Sequence, residues 1–203
     1  MHTPGISKPE NIGDYLEAHS FKKMGVSPGM AVDLEKIIDD RPSPSGLTIK
    51  QVDDKKSNRL YWRIWSEGYP MPEDLAVLEA DVSEYHGFYP DNPQKLFIGF
   101  LEDEPVATSQ LFLGGGVAGL WGVSTLQSAR KRGVGTAMSL HPLRVARSLG
   151  YRIAVLDATQ QGYGIYERIG FKEVCLPVYY TYQSPTQESA DEKLKDIMHS
   201  QRI

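Results

Sequence analysis

The sequence predicts an α/β domain built around a mixed β-sheet, and three observations lead to this prediction. Short apolar segments alternate with longer stretches in which apolar residues recur at helical spacing. Two of the apolar segments, 96–101 and 106–113, flank the turn Glu102–Pro105 in the manner of a β-hairpin. The almost wholly apolar segment 117–125 leads into a glycine-rich loop and a long helical pattern, as a strand buried on both faces does in α/β proteins.

From residue 47 onward the elements follow in the order β-α-α-β-β-β-α-β-α-β. The first strand alternates apolar and polar residues, which is typical of a half-buried strand. The second helix carries Leu75, Leu78 and Val82 on one face. The predicted helices span 53–67, 73–85, 133–149 and 163–169, and the predicted strands span 47–52, 96–101, 106–113, 117–125, 153–156 and 171–182.

Prolines and glycines mark the ends of several elements. Pro70 and Pro72 separate the first two helices, Gly150 ends the long helix, and Gly170 suits the C-cap of the short one. Pro142 falls inside the long helix, where it removes one backbone hydrogen bond. Because the apolar stripe continues beyond it, we expect a kink there and not a helix end.

The chain is expected to hold one main domain at 47–183. Residues 1–46 read as an N-terminal segment that ends in the proline-rich linker 41–46, and residues 184–203 read as a polar C-terminal tail. A single domain of this length can bury a sizeable core.

A short internal similarity links the N-terminal segment to the end of the main domain. Residues 16–23 parallel residues 166–173, and both stretches read as a helix-to-strand turn. One interpretation is chance similarity, and the other is that residues 12–40 are the remnant of a second copy of the domain. Superposition of 14–35 on 164–183 distinguishes the two.

The composition narrows the class of protein. The 203 residues carry a net charge of -4 at pH 7, which disfavours binding to nucleic acid or to an anionic membrane. There is no apolar run of about 18 residues and no secretory signal pattern, so we expect a cytoplasmic protein. Cys175 is the single cysteine, and we expect it to be a small buried residue in a reducing compartment.

The loop Arg130–Thr136 has the composition of an anion-binding site. Gly133 and Gly135 allow the backbone to approach an anion at the start of a helix, where free N–H groups and the helix dipole favour negative charge. Three consecutive cations at a helix N-terminus oppose the dipole, which also favours a bound anion. The pattern is neither a dinucleotide fingerprint nor a Walker loop. The alternative is a basic helix start with glycines for a tight turn.

Two signatures in this order resemble the GNAT superfamily of N-acetyltransferases. The first is the strand Leu120–Thr125 with the loop Arg130–Thr136, and the second is Leu156–Gly162 followed by Tyr166–Phe171. The resemblance covers residues 47–182. It implies the GNAT fold, a mixed, mostly antiparallel twisted sheet whose central strands 4 and 5 splay apart, with helices on both faces.

The resemblance also implies roles for individual residues. Val123 and its neighbours would pair with the pantetheine amides of coenzyme A, and Gly122 would mark a bulge where the strands begin to splay. Thr159 would line the pantetheine channel, and Tyr166 would be the catalytic residue beside the departing sulfur. The implied coenzyme-binding residues are Trp121, Gly122, Val123, Arg130, Lys131, Arg132, Gly133, Val134, Gly135, Thr136, Thr159 and Tyr166.

The implied reaction is transfer of an acetyl group from acetyl-CoA to a primary amine of a small molecule or peptide by direct attack. Because a phenol has a higher pKa than a thiol, Tyr166 is expected to stabilise the leaving thiolate and not to protonate it fully. The general base stays open among Asp157, the isolated His86 and His141, and a chain of water molecules.

In the GNAT fold the first two helices and their joining loop line the acceptor site, and here this region holds Trp65, Glu67, Tyr69 and Met71. Its aromatic side chains suit a small amine, or they simply close the edge of the core. No metal is expected, and the oligomeric state is a monomer or a homodimer. The alternatives to an enzyme are an inactive domain that senses acyl-CoA and, more distantly, a nucleic-acid-binding module.

Overall fold

The computed structural model describes residues 9–182 apart from residues 41, 70, 72 and 90. The described residues divide into two compact units, one made of residues 9–28 with 174–182 and the other of Gly29–Glu173. The predicted tail 184–203 lies outside the described residues. Within the described part of the chain, no helix is long and apolar enough to span a membrane.

The described residues form five α-helices and nine strands, which we label in chain order, and a short 3-10 helix at Gln127–Ala129. The elements are α1 (Ile12–Ala18), β1 (Phe21–Val26), β2 (Gly29–Asp33), β3 (Leu47–Gln51), α2 (Lys55–Gly68), α3 (Glu73–His86), β4 (Gln94–Leu101), β5 (Glu104–Gly114), β6 (Val117–Thr125), α4 (Val134–Ser148), β7 (Ile153–Asp157), α5 (Tyr163–Ile169), β8 (Lys172–Cys175) and β9 (Val178–Tyr182).

The larger unit is built on a seven-stranded sheet in the order β3-β4-β5-β6-β7-β2-β8. Antiparallel pairing joins β3 to β4, β4 to β5, β5 to β6 and β2 to β7, and the pair β6–β7 is parallel. This mixed, mostly antiparallel sheet confirms the predicted fold class. Relative to the first strand after the linker, β6 and β7 are the fourth and fifth strands, and they are central in the order.

Helices cover both faces of the sheet, as predicted. Successive residues of a strand point to opposite faces, and β4 shows this directly. Phe97 belongs to the core cluster that contains Met138 and Leu143 of α4, whereas Leu96 and Ile98 belong to the cluster under α2 and α3. The site described below therefore lies in a sheet that is held rigid from both sides.

The compact unit begins at Gly29, whereas the sequence analysis placed the start of the main domain at residue 47. The difference is due to β2, which pairs with β7 from Gly29 opposite Asp157 to Asp33 opposite Ile153. Met30 and Val32 are buried in the same cluster as α4. Because the partner strand lies far along the chain, local sequence patterns did not indicate that β2 belongs to this sheet.

Three further expectations can be compared with the structure. The long helix continues through Pro142 to Ser148, as predicted. The second helix forms as predicted, but its buried residues are the small Ala76, Ala80 and Ser83; Leu78 and Val82 are exposed and Leu75 is half-buried. The prediction for Cys175 was wrong, because this residue is exposed on β8.

The smaller unit contains α1, β1 and β9, with β1 and β9 paired as an antiparallel two-stranded sheet. Ser20, which follows α1, has φ 66, and Gly170, which follows α5, has φ 114. A strand follows each of these residues within two positions. The two stretches that the sequence analysis compared thus both have a residue of positive φ between a helix and a strand, and their common origin stays a prediction.

Candidate active site

A cleft opens in the middle of the larger sheet because two neighbouring strands separate. Strands β6 and β7 are paired at Ala118 opposite Ala154 and at Gly119 opposite Val155, and the pairing stops there. Beyond this point lies a cavity of about 1070 Å³. It is bounded by the ends of α2 and β6, the loop before α4, and the loop that leads into α5. The predicted splay between the fourth and fifth strands is therefore present.

A β-bulge lies where the strands separate. Gly122 has φ 55, and the register between β5 and β6 shifts so that Gly122 and Val123 together face Ser109. A Cβ atom at residue 122 would lie 2.8 Å from the hydroxyl of Tyr61, so both the backbone conformation and the space require glycine. The predicted bulge at Gly122 is confirmed.

One end of the cavity is formed by the start of α4. Gly133 is the N-cap residue with φ 82 and gives no side-chain cap, and the first hydrogen bond of the helix runs from Ala137 N to Gly133 O at 3.1 Å. The N–H groups of residues 134–136 thus sit in the first turn, where a helix offers donors without intrahelical partners. Lys131, in the preceding loop, has φ 61, a conformation that costs a non-glycine residue roughly 1–2 kcal/mol. Such strain is typical of functional loops.

Arg130 fixes this loop to the end of α2. Its Nε donates to Thr125 O at 2.9 Å and its NH2 group donates to Gly68 O at 3.4 Å. Neither Arg130, Lys131 nor Arg132 takes part in an ion pair with a described residue. The positive charge at this end of the cavity is therefore uncompensated within the described part of the chain, which favours a bound anion.

Tyr166, on α5, also lines the cavity. Its ring packs against Phe171 with the centroids 5.9 Å apart, and it also covers Gly162, where a Cβ atom would approach the ring to 2.7 Å. Burial, with a smaller contribution from nearby Tyr69, raises the pKa of Tyr166 well above that of a free phenol. The side chain is therefore a neutral hydrogen-bond donor at any physiological pH.

The last residues of α2 form a third wall. Gly68 lies so close to β6 that a Cβ atom there would be 1.7 Å from the Oγ of Ser124. Tyr69 donates a hydrogen bond to Val123 O at 2.9 Å, and burial raises its pKa. These contacts hold the end of α2, including Glu67, which also lines the cavity, against the last residues of β6. No ion pair or hydrogen bond joins the Glu67 carboxylate to another described residue.

Ser124 contributes an unusual group to the lining. Its hydroxyl is buried and has no hydrogen-bond partner among the described residues. Because a buried hydroxyl without a partner costs free energy, such a group in a cavity wall favours a polar ligand atom beside it.

The structure brings together about half of the predicted site residues. Six of them line the cavity, and the other six do not. Trp121 is half-exposed and its ring covers Gly119, so the cavity gives no support to its predicted role. The lining residues are Val123, Arg130, Lys131, Gly135, Thr159 and Tyr166, and those outside the lining are Trp121, Gly122, Arg132, Gly133, Val134 and Thr136.

The sequence analysis missed Gly68 and Ser124. A glycine at the end of a helix and a serine within a strand carry no local signal that they touch each other. Asp157, a candidate general base, lies in β7 opposite Gly29 and outside the cavity lining. Met71 is likewise outside the lining, whereas Glu67 and Tyr69 belong to it. Among the described residues, no group of three or more His, Cys, Asp or Glu is arranged to hold a metal ion.

The fold and the cleft define an α/β domain of the acetyltransferase class. The model of the acetyltransferase (GNAT) family matches residues 57–171, which is more than half of the 203-residue chain. The chain therefore belongs to the GNAT acetyltransferase family, as the two sequence signatures predicted. A search of curated proteins gives no significant match.

Several solved structures share the fold of this chain. A GCN5-related N-acetyltransferase from Kribbella flavida has a TM-score of 0.68 at 22% identity over 88% of this chain and 66% of its own. One from Sphaerobacter thermophilus has a TM-score of 0.67 at 18% identity over 86% of this chain and 56% of its own. A predicted acetyltransferase with acetyl-CoA from Clostridium acetobutylicum has a TM-score of 0.53 at 15% identity over 63% of this chain and 91% of its own.

The first two structures are longer than this chain, which spans 66% and 56% of their lengths. At these identities the likeness concerns the fold alone.

Proposed function

We propose that this protein transfers an acetyl group from acetyl-CoA to the primary amine of a small molecule or peptide. The observation that carries the proposal is the cleft between β6 and β7, whose lining combines positive charge that no described residue compensates with the buried Tyr166. Its volume of about 1070 Å³ is at the upper end of ligand pockets, which suits a long donor together with an acceptor.

The donor would lie with its pyrophosphate at the start of α4. Gly135 lines the cavity without a side chain, and the N–H groups of the first turn are available there. Lys131 and the remaining donors of Arg130 add charge for the phosphates.

The acetyl thioester supplies the electrophilic carbonyl, which the amine attacks, and the protein must then stabilise a thiolate as it leaves. The Tyr166 hydroxyl is a suitable donor for this thiolate, because its raised pKa keeps its proton on the phenol. A hydrogen bond to a charged group contributes about 1.5–3 kcal/mol. We therefore assign to Tyr166 the stabilisation of the leaving group and not full proton transfer.

Glu67 is our candidate for the group that receives the amine. It is the only carboxylate among the described residues that line the cavity. A carboxylate attracts the ammonium form of the acceptor and can take up its proton directly or through a water molecule. The acceptor would accordingly be a cationic amine, and an acceptor without a positive charge would be a poor substrate.

The donor assignment is tested with coenzyme A alone. Binding to the native state must raise the melting temperature, and native mass spectrometry must show the complex. If saturating coenzyme A gives neither signal, the central claim is wrong. Release of free thiol from acetyl-CoA in the presence of a panel of amines then tests catalysis. Binding without thiol release with any amine would instead favour the acyl-CoA sensor.

The role of Glu67 is tested by Glu67→Gln, with Glu104→Gln as the control. Glu104 is an exposed residue at the start of β5, away from the cavity. We expect Glu67→Gln to lower kcat/KM for the amine by roughly ten- to a hundred-fold while the KM for acetyl-CoA stays close to that of the natural protein. Equal activity of the two variants would remove Glu67 from the mechanism and leave the donor site unaffected.

A further inference from the structure

Helix α3 buries small side chains and exposes large apolar ones, which is the reverse of an ordinary surface helix. Its buried residues are the small Ala76, Ala80 and Ser83, which let it pack closely on α2. Leu75 is half-buried, but the other large apolar side chains of the helix are exposed, with Leu78 58% exposed and Val82 46% exposed. A surface helix normally buries its large apolar face, so an outward apolar face on such a helix indicates a contact with another molecule.

The large apolar residues on one face of α3 are regularly spaced along the helix. Leu75, Leu78, Val82 and Tyr85 are separated by three, four and three residues, and we call them the α3 stripe. At 3.6 residues per turn this spacing places all four on one face of the helix, opposite to Ala80. Tyr85 at its end is 90% exposed. Alternating steps of three and four are the spacing with which one helix packs along another.

Acidic residues flank the stripe on both sides. Asp74 and Asp81 each lie one position before a stripe residue, and Glu79 lies one position after Leu78 on the other side. Asp81 is paired with Arg59 at 3.0 Å, whereas Asp74 and Glu79 have no ion pair with a described residue. In helix pairs these flanking positions choose the partner by charge.

The flanking charges argue against self-association through this face. Two parallel copies of α3 would bring Asp74 against Glu79 of the second copy, and two antiparallel copies would bring Asp74 against Asp81. Like charges in these positions are destabilising. The same acids would repel an anionic lipid surface.

We propose that the α3 stripe is a docking site for an amphipathic helix of another protein whose apolar stripe is flanked by lysine or arginine. The apolar residues of such a helix would cover the α3 stripe, and its cations would pair with Asp74 and Glu79. This proposal is independent of the acetyl-transfer function, since it concerns the face of α3 that points away from α2.

The test uses two synthetic helical peptides of about three heptads, with the same leucine spacing but with lysines flanking the leucines in one and glutamates in the other. Binding to the full chain is followed by fluorescence anisotropy. We expect the lysine peptide to bind more tightly than the glutamate peptide, and its binding to weaken with added salt. The double variant Leu78→Ser/Val82→Ser is expected to lose about ten-fold or more in affinity.

Val77→Ser is the matched control, because Val77 is also exposed on α3 (48%) but lies off the stripe. It should bind like the natural protein. All the substituted side chains are exposed, so circular dichroism melts should show that the variants remain folded. The proposal is overturned if both peptides bind equally or neither binds, or if Val77→Ser loses as much affinity as the double variant. It is also overturned if the natural protein is a dimer and the stripe variants are monomers, or if the natural protein binds anionic vesicles and the stripe variants do not.

Discussion

The contact between Gly68 and Ser124 sets how closely the end of α2 approaches β6, and a single methyl group tests it. In Gly68→Ala the new Cβ atom would lie 1.7 Å from the Oγ of Ser124 and 3.1 Å from its Cβ. Rotation of the serine hydroxyl relieves the first contact. The second contact is to an atom that cannot rotate away, so the end of α2 must shift by a few tenths of an ångström.

The expected cost is that of overpacking, about 1–3 kcal/mol of the free energy of unfolding. For a chain of this length each kcal/mol lowers the melting temperature by about 2–4 °C. Removing the hydroxyl should cost little on its own, because the Ser124 Oγ has no described hydrogen-bond partner. Because alanine at residue 124 keeps the Cβ atom that lies 3.1 Å from the new methyl group, Gly68→Ala/Ser124→Ala should recover only part of the stability that Gly68→Ala loses.

The assay is chemical unfolding of the four members of this double-mutant cycle, with the coupling free energy as the result. Gly164→Ala is the control, because this glycine lies within α5 and only the mobile end of Arg168 is near its Cβ position. It should be stabilising by about 0.5–1 kcal/mol, as alanine for glycine is in a helix. If Gly68→Ala is as stable as the natural protein, α2 does not approach β6 as described.

Three further predictions follow from the same coordinates. Tyr166→Phe should lower kcat roughly ten- to a hundred-fold with little change in the KM for acetyl-CoA. The control Tyr163→Phe, on the same helix, should retain activity. An unchanged kcat in Tyr166→Phe would contradict the proposal that Tyr166 stabilises the leaving thiolate. Burial raises the pKa of both Tyr61 and Tyr166, so the folded state holds their protons longer than the unfolded state does, and stability should fall above about pH 10 by about 1.4 kcal/mol per pH unit for each tyrosine. Urea unfolding at several alkaline pH values should show a shallower fall in Tyr166→Phe. The Arg144 Nε donates a hydrogen bond to Asp39 Oδ2 at 2.8 Å, and this contact holds the pKa of the Asp39 carboxyl below 3.8. The ion pair should therefore stabilise the folded state at neutral pH, and this stabilisation should disappear as the pH falls through the lowered pKa. Asp39→Asn should remove this acid-dependent loss of stability in unfolding experiments between about pH 5 and 2.

Elements whose signals are local were predicted well. The short helix Tyr163–Ile169 and its left-handed C-cap Gly170 appear as predicted, since a helix end with a glycine is written in adjacent residues. The continuation of α4 through Pro142 is of the same kind, whereas the bulge at Gly122 was predicted only from the family resemblance. The two family signatures lie on these elements, which is why the family itself could be predicted.

Features that depend on distant contacts were not predicted. Strand β2 pairs with β7 through backbone hydrogen bonds, and no residue pattern in five residues specifies a partner that far along the chain. The periodicity of α3 shows that Leu75, Leu78 and Val82 share a face, but not that this face points outward. The meeting of Gly68 and Ser124 depends on the angle at which α2 crosses the sheet, which only the packed structure defines.

The short pairing between β6 and β7 leaves most of one edge of β6 without a partner among the described strands of the sheet. Among the described residues, β6 and β7 pair only at Ala118 opposite Ala154 and at Gly119 opposite Val155. Past them the backbone of β6 runs along the cavity as an interior edge, with groups that would recruit another chain if they lay on the outside. Because this edge of β6 lies in a cavity between α2 and α5, a narrow, extended ligand can reach it more easily than another protein chain can. A ligand with amide groups could pair with β6 as an additional strand does, and the amide hydrogens of Val123 to Thr125 should then exchange more slowly with solvent.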